Sequence, residues 1–553
     1  MDKRLLIALL LTAVVVAVTP VIFPTPRRTP VSSTATPSSS EKVVAPAKAG
    51  TVVESPALTP VIDSPAVNIA AVPAGVRPEL TTVNTARSIY RFTNYGAAPV
   101  SVVMQGYRNL SAGHAGPVEI STPGRSLLRY SLVMQRDTIP LERIPFQVQE
   151  SQGTNGHKLL TYRARVGSAD VAIAYDISPD QYLLKTSGRV DNAGGPAFLL
   201  IEMPSSMPVT EADTTGDLRT RSYSYKPTHS NARGVPFAKL DPGESELESK
   251  PVTWAAVRNK YFVVGIISPA NSSFDEMTMT GAPRVAKIAR NASATVVKSL
   301  RNGTFAFDTY VGPQQQTQLL SVGRDFDHVN PYGWSFLQPV INPIAALCIR
   351  LLLWLHDTFK LSYGWVLILF GVVVRVILWP LNQSAMRSQL KMQELQPRLT
   401  EIQKKYKDNP DRQRQEMMKV YSEAGTSPFA ALSGCLPMLL PMPVLFALFF
   451  VFQNTIEFRG VPFLWLTDIS TKDPYYILPL AMGISMYVLS WIGLRNAPPN
   501  PQAKMMSYMF PVMMTFFLAN MASGLNLYYT AQNIAALPQQ WYLAKERQKA
   551  RRT

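Results

Sequence analysis

The sequence is short of the residues from which metal, redox and catalytic sites are usually built. It has 2 cysteines and 5 histidines in 553 residues. Cys348 and Cys435 each lie inside an apolar run, which excludes a disulfide framework and a cysteine metal cluster. There is also no nucleotide-binding loop and no recognisable pair of nucleophile and base. We therefore expect no cofactor, no metal and no enzymatic activity, and the sequence argues against a pump or an intramembrane protease.

Acidic residues are also missing from the apolar stretches that could supply a partner for the charge of Arg375. Arg375 lies in the apolar stretch Tyr363–Leu381, and a charge within a lipid-spanning helix costs about 2.5–3.5 kcal/mol on insertion scales. Such a residue is a candidate functional residue, and it usually has a carboxylate partner on a neighbouring helix. Four other apolar stretches contain no Asp or Glu: 430–456, 474–492, 505–521 and 525–543. Three interpretations stay open, in which Arg375 reaches an interface, faces a water-filled cavity, or binds a partner from outside.

The net charge is +17, and the basic residues lie mostly beside apolar stretches. This placement indicates the orientation of the spans in the membrane. It does not indicate binding to a specific nucleic-acid sequence. Residues 383–425, the 493–504 loop and the tail 544–553 carry this surplus, which places them in the cytoplasm. Residues 1–23 are either a cleaved signal peptide or an anchor. We favour an uncleaved anchor, because its apolar run can span a bilayer and Pro20 would follow the best cleavage site. The sequence thus predicts six spans with both termini in the cytoplasm.

The soluble part of the chain divides into two regions. Residues 24–79 are rich in Pro, Ser, Thr, Ala and Val and are expected to form a disordered linker. Residues 80–325 consist of short alternating or β-branched runs separated by turn residues, which predicts an all-β sandwich outside the cytoplasm.

The membrane part begins with an ambiguous segment. Residues 331–360 contain the apolar run Ile344–Leu355, which is too short to span, and we expect an amphipathic helix on the outer membrane surface. Residues 383–425 should form a helical hairpin, either a solvated coiled coil or a docking arm for a cytoplasmic partner. The other predicted segments are spans at 363–382, 430–456, 474–492, 505–521 and 525–543, and a basic tail at 544–553.

Two groups of side chains in the spans are candidates for function. One face of the last span carries Asn526, Thr530, Asn533, Leu537 and Gln540, with Tyr529 beside them. Such a face can also simply join helices by hydrogen bonds. Methionine-rich surfaces adapt to varied apolar partners, although lipid-facing filler would have the same composition. The residues proposed for such a surface are Met438, Met442, Phe446, Met509 and Met513.

Motifs along most of the chain resemble those of the YidC/Oxa/Alb family of membrane protein insertases, of the Gram-negative YidC type. They occur in the order of that family and include SIYRFTNYG (88–96), WAAVRNKYF (254–262), YVGP (310–313), YGW with Arg375 and WPL (363–381), LQP (395–397), QEMMKVY (415–421), GCLPMLLPMPVLFALFF (434–450), DPYYILP (473–479) and SGLNLYY (523–529).

The resemblance implies a five-helix core around a hydrophilic groove that is open to the cytoplasm and the lipid and closed on the outer side. The groove arginine of the family corresponds to Arg375, and a tyrosine of its last span corresponds to Tyr528 or, as we prefer, Tyr529. The outer domain is similar to a β-supersandwich related to sugar-binding folds. One departure is Gly371, where the family often has a hydroxyl residue, so a hydrogen bond from that position is not expected.

The implied function is insertion and folding of inner-membrane proteins without ATP, alone or with the Sec translocon. The implied partners are nascent membrane proteins, the Sec translocon with its accessory subunits, the ribosome and the lipid bilayer of the bacterial inner membrane. Two alternatives stay open. One is an anion-selective channel or carrier in which Arg375 selects the ion, and the other is an enzyme built on the outer domain with the membrane part as its anchor.

Overall fold

The computed structural model describes the backbone of residues 77–135, 137–285, 288–330, 337–380, 383, 395, 397–407, 409–423, 442–494 and 501–550. Side chains are described for most of these residues, but not for 442–443, 501–503, 543 and 546–550. The predicted anchor, nearly all of the predicted linker, and Met438 lie outside the described residues.

The N-terminal part of the described chain is a β-sheet-rich domain. Its strands are β1 Leu80–Asn84, β2 Ser88–Thr93, β3 Ala98–Arg108, β4 Pro117–Ser121, β5 Arg129–Met134, β6 Asp137–Pro140, β7 Gln147–Gln152, β8 Lys158–Val166, β9 Ala169–Ile177, β10 Leu183–Asp191, β11 Ala197–Glu202, β12 Ser222–Pro227, β13 Arg233–Pro236, β14 Ser245–Glu248, β15 Val252–Arg258, β16 Phe262–Ile267, β17 Glu276–Gly281, β18 Ala292–Ser299 and β19 Thr304–Pro313.

These strands form three antiparallel sheets. The largest has nine strands in the order β13-β12-β15-β16-β19-β10-β9-β8-β7. The second has six, β14-β17-β18-β11-β5-β6, and the third has four, β1-β2-β3-β4. Alternation of apolar and polar residues explains the layering, because successive side chains of a strand point to opposite faces. In β9, for example, Val171, Ile173 and Tyr175 are buried in the shared core, while the intervening residues are more exposed.

The C-terminal part of the described chain is helical. The helices are α1 Thr214–Thr220 and α2 Gln316–Val322 beside the sheets, followed by α3 Gln338–Phe359, α4 Tyr363–Ile377, α5 Pro410–Glu423, α6 Met442–Asn454, α7 Ile477–Leu494, α8 Pro501–Leu518 and α9 Ser523–Ala550. The predicted division into a β-sheet-rich domain and a helical C-terminal region is thus confirmed. The six spans and the five-helix core stay predictions.

Helix α3 is longer than the apolar run that predicted it. It has 22 residues and starts at Gln338, so that Pro339 falls in its first turn, where a missing N–H costs nothing. The helix as a whole is therefore long enough to span a bilayer, although the apolar run Ile344–Leu355 alone is not. Among the described helices, α3 and α7 have the length and composition that a membrane crossing requires. The expected position of this segment on the outer membrane surface stays a prediction.

The helices of the bundle pack in a defined order. Helix α9 packs against both α4 and α7, α8 packs on α7, and α3 packs against α6 and α4. Separately, residues 397–405 are helical, and Leu399 is buried against Tyr421 of α5. This contact joins the two arms of the predicted hairpin.

The connection between α6 and α7, residues 455–476, carries a buried carboxyl group. Glu457 follows α6 in a short 3-10 turn, and its Oε1 atom is buried without a hydrogen-bond partner among the described residues. Burial raises the pKa of this carboxyl to about 7, from an ordinary value of 4.5. The folded state therefore binds this proton more tightly than the unfolded state, so ionisation destabilises the fold as the pH rises from about 4.5 to 7.

We predict that Glu457→Gln stabilises the protein above pH 7 and has almost no effect near pH 4. The amide keeps the shape and cannot ionise, and the penalty removed is at most about 3 kcal/mol. Thermal unfolding midpoints of the full chain in detergent at pH 4, 6 and 8 measure the effect. The exposed Glu244, changed to Gln, is the control. A shift of equal size at all three pH values would contradict the assignment.

Candidate functional site

The site is built on the close approach of α4 and α9. Gly371 lies at a close contact of the two helices, since a Cβ atom there would lie 3.1 Å from the Tyr528 carbonyl oxygen and 3.4 Å from the Ala531 Cβ. A second contact lies at the start of α9, where a Cβ on Gly524 would lie 3.1 Å from Leu367 Cδ1. Small residues allow backbones to pack this closely, as in membrane helix pairs.

Arg375 lies one turn beyond Gly371, in the last turn of α4. Its Nη2 atom donates a hydrogen bond of 2.8 Å to Oε1 of Gln539 on α9. Gln539 is 1% exposed, and its own Nε2 donates to the Trp379 carbonyl oxygen at 3.3 Å. The side-chain amide is thus held from both sides and presents its oxygen to the guanidinium. The position near a helix C-terminus also suits a cation.

No carboxylate of the described residues lies within reach of the guanidinium. Within the part of the chain that the structure describes, Arg375 forms no ion pair, and its Nε atom is buried without a hydrogen-bond acceptor. A neutral amide satisfies one donor but does not balance the charge. The guanidinium thus keeps a buried N–H group and an unbalanced charge among the described residues.

Arg375 faces a cavity of about 470 Å³ between α4 and α9. Val376 and Ile534 at its rim are 62% and 55% exposed, so the cavity opens on the outer surface of the helix pair. The residues that line it are mostly apolar: Ile368, Val372, Arg375, Val376, Trp379, Leu527, Thr530, Ala531, Ile534 and Ala535.

The polar residues of the last span do not all face this cavity. Thr530 lines it and donates its hydroxyl hydrogen to the Asn526 carbonyl oxygen at 2.7 Å. Asn526 instead donates from Nδ2 to the Leu518 carbonyl oxygen of α8, at 3.0 Å. Asn533 donates to Oγ of Ser485 on α7, at 3.1 Å. Both asparagines therefore join helices, which is the alternative that the sequence left open.

Tyr529 is buried and does not line the cavity. Its hydroxyl has no hydrogen-bond partner among the described residues, and its ring centroid lies 5.1 Å from that of Tyr528. Tyr528 in turn packs against Phe370 of α4 at 5.6 Å. The tyrosine pair thus belongs to the packing between α4 and α9 beside the cavity.

The methionine surface is described only in part. Met509 and Met513 are about half exposed on α8, together with the more exposed Phe516. Phe446 is partly buried on α6. The side chain of Met442 lies outside the described set, as does all of Met438.

Sequence reasoning missed Gln539. The predicted polar face ran from Asn526 through Asn533 to the adjacent Gln540. The cavity side of α9 instead contains Ala531 and Ala535, and Gln539 follows them at the same spacing of four. Residues four apart lie above one another on a helix, so this spacing was the available signal once Thr530 and Ala531 were known to face α4.

Comparisons with known proteins agree over both parts of the chain. The family model of the YidC periplasmic domain matches residues 80–344, and that of the 60Kd inner membrane protein matches residues 354–551. The membrane protein insertase YidC of Chlorobaculum tepidum is 31% identical over 401 residues, covering 68% of this chain and 65% of the relative. That of Prosthecochloris aestuarii is 30% identical over 429 residues, covering 72% and 71%. The chain thus spans about two thirds of the length of these relatives.

Among solved structures, an active YidC insertase with its first transmembrane domain resolved is 18% identical. The alignment covers 84% of this chain and 93% of that chain, with a TM-score of 0.34.

We predict that Gly371→Leu separates α4 from α9 and lowers the free energy of unfolding by about 1–3 kcal/mol, the usual range for overpacking. The added side chain would meet the backbone of α9 at Tyr528. Thermal unfolding of the full chain in detergent measures the loss. Val372→Leu is the matched control, because Val372 borders the cavity and has room beside it. Equal losses for the two variants would contradict the close packing.

Proposed function

Since the chain belongs to the family of YidC membrane protein insertases, we propose that it inserts nascent inner-membrane proteins through the cavity between α4 and α9, without ATP. The observation that supports this proposal best is the state of Arg375. It borders an apolar cavity that opens sideways, and its described partner is a neutral amide. An anionic group of a client can therefore replace or join Gln539 without breaking an ion pair.

In the proposed mechanism the polar tail of a client enters the cavity first. Arg375 attracts an acidic tail, and the attraction is stronger in a partly desolvated site than in water. The apolar part of the client then leaves through the open side into the lipid. The surfaces proposed for this movement are on the predicted spans 430–456 and 505–521, with Met509 and Met513 exposed on α8. Arg375 acts by electrostatic attraction and forms no covalent bond.

The need for an external source of energy depends on two free energies of transfer into the bilayer, that of the apolar span of the client and that of its acidic tail. About twenty leucine-like residues contribute about −6 to −12 kcal/mol on entering a bilayer, at −0.3 to −0.6 kcal/mol each. One acidic residue at the bilayer centre costs about 2.5–3.5 kcal/mol on the same scale. Burial of the client therefore exceeds the cost of a short acidic tail, and the cavity serves to lower the barrier. This is why the proposal includes neither ATP nor a cofactor.

The proposed topology follows from the charges. The N-terminal anchor, five further spans and cytoplasmic termini would place the β-sheet-rich domain in the periplasm. The hairpin 383–425 and the basic tail 544–553 would then meet the ribosome or the emerging client, and the Sec translocon would receive the larger clients. The contacts of the hairpin and the tail are proposed from their position and charge, and the contact with the Sec translocon is proposed from the resemblance to the family.

We predict that a client carrying a single span and a short tail inserts into ATP-free liposomes that contain the purified protein. Photoreactive residues at Ile534, beside the cavity, and at Met509 should cross-link to this client during insertion. A probe at Leu247, exposed on β14 of the periplasmic domain, should not. The measurement is protease protection of the client together with the cross-linking pattern.

The opposite pattern would contradict the proposal. Cross-links at Leu247 alone would assign the client to the β-sheet-rich domain. An anion flux through the liposomes with no protected client would favour the channel or carrier.

A further inference from the structure

The loop that joins α6 to α7, residues 455–476, is folded compactly on itself. The Ile469 N–H donates to the Val461 carbonyl oxygen at 3.0 Å, and Phe463 and Leu466 exchange two backbone hydrogen bonds of 2.9 Å. Phe458, Phe463 and Ile469 are buried. We call this segment the α6–α7 loop. It contacts three separate parts of the molecule.

The first contact of the α6–α7 loop is with the start of α4. The Phe463 ring packs directly on Gly364, where a Cβ atom would overlap it. The Phe458 ring lies 5.5 Å from that of Tyr363 in an edge-on arrangement. The first turn of α4 is therefore fixed by aromatic side chains of the loop.

The second contact is with the start of α9. The first N–H groups of a helix have no partner within the helix. Here the Ser523 N–H donates to the Thr471 carbonyl oxygen at 2.7 Å, and the Gly524 N–H donates to the Ile469 carbonyl oxygen at 2.9 Å. The Ser523 hydroxyl also donates to the Ile469 carbonyl oxygen, at 3.2 Å. Carbonyl groups of the α6–α7 loop thus cap the helix that carries Gln539.

The third contact is with the β-sheet-rich domain and depends on one arginine. Arg459 donates from Nε to Oε1 of Glu211 at 2.8 Å, and from Nη2 to the Thr210 carbonyl oxygen at 3.0 Å. The two charged side chains are only 5% and 7% exposed. The rings of Tyr261 and Phe262 lie 5.8 and 5.4 Å from the guanidinium carbon. Removing one member of such a pair leaves the other charge buried and unpaired, which is strongly destabilising.

We propose that Arg459 is a positioning residue for the cavity. The ion pair with Glu211 fixes the α6–α7 loop on the β-sheet-rich domain, and the loop fixes the starts of α4 and α9. These two helices form the walls of the cavity beside Arg375. The β-sheet-rich domain therefore acts as a rigid support for the helix pair. The link to client insertion rests on the proposed function, whereas the link to the helix ends does not.

Hydrogen exchange measured by mass spectrometry on the full chain in lipid nanodiscs tests the coupling without a client. In Arg459→Ala and in Glu211→Ala, the amides of Ser523 and Gly524 and of the α6–α7 loop should exchange about tenfold faster or more, as expected for loss of a buried ion pair. The charge-reversed double variant, Arg459→Glu with Glu211→Arg, should recover most of the protection. The control is Arg189→Ala, whose pair with Asp191 is exposed on the same domain.

Unchanged exchange at Ser523 and Gly524 in the single variants would overturn the proposal, since the ion pair would then be a local tie of the β-sheet-rich domain. A double variant no better protected than the single ones would also overturn it. In the insertion assay, Arg459→Ala should slow clients with acidic and with neutral tails alike, because it changes the walls of the cavity and leaves its charge in place. Slowing of acidic-tailed clients alone would count against it.

Discussion

A single guanidinium held by a neutral amide sets the character of the helical bundle. Arg375 is the charge on α4, and Gln539 accepts its hydrogen bond at 2.8 Å. An arginine in an apolar helix is costly unless it reaches water or a counter-charge. A carboxylate on α9 would have supplied that counter-charge and closed the site to other anions. Among the described residues the amide holds the side chain in place without balancing its charge, which is the condition that the proposed attraction of an acidic client requires.

The rest of the bundle serves to keep this contact in place. Gly371 lets α4 and α9 approach closely, and the cavity runs beside this contact, lined from Ile368 to Trp379. Asn526 and Asn533 join α9 to α8 and α7, so that α9 cannot rotate without breaking hydrogen bonds on two other helices. At the opposite end, the α6–α7 loop caps α9 and packs on α4. The position of one side chain thus depends on contacts at both ends of the helix pair.

Much of this architecture could be predicted from local sequence, and the reasons are physical. Alternation such as that of Val171, Ile173 and Tyr175 reports a half-buried strand directly, and one charge in an apolar run marks Arg375. The partner of Arg375 could not be predicted, because a small rotation of α9 decides whether Gln539 or Gln540 faces α4. The length of α3 could not be read from the apolar run Ile344–Leu355, because the helix starts at Gln338 with Pro339 in its first turn. The Arg459–Glu211 pair joins residues 248 apart in the chain, which no local pattern reveals.

The most direct test of the account varies the charge balance at Arg375 and the charge of the client together. Insertion of clients with acidic and with neutral tails would be measured in ATP-free liposomes for the wild type, Arg375→Ala and Gln539→Glu. The last variant supplies the missing carboxylate within hydrogen-bond distance of the guanidinium. Arg350→Ala, at an exposed arginine of α3, is the control. The account predicts that both cavity variants slow acidic-tailed clients selectively and that the control does not. Equal insertion of both tails by all four proteins would contradict it, and would assign insertion to the apolar surfaces alone.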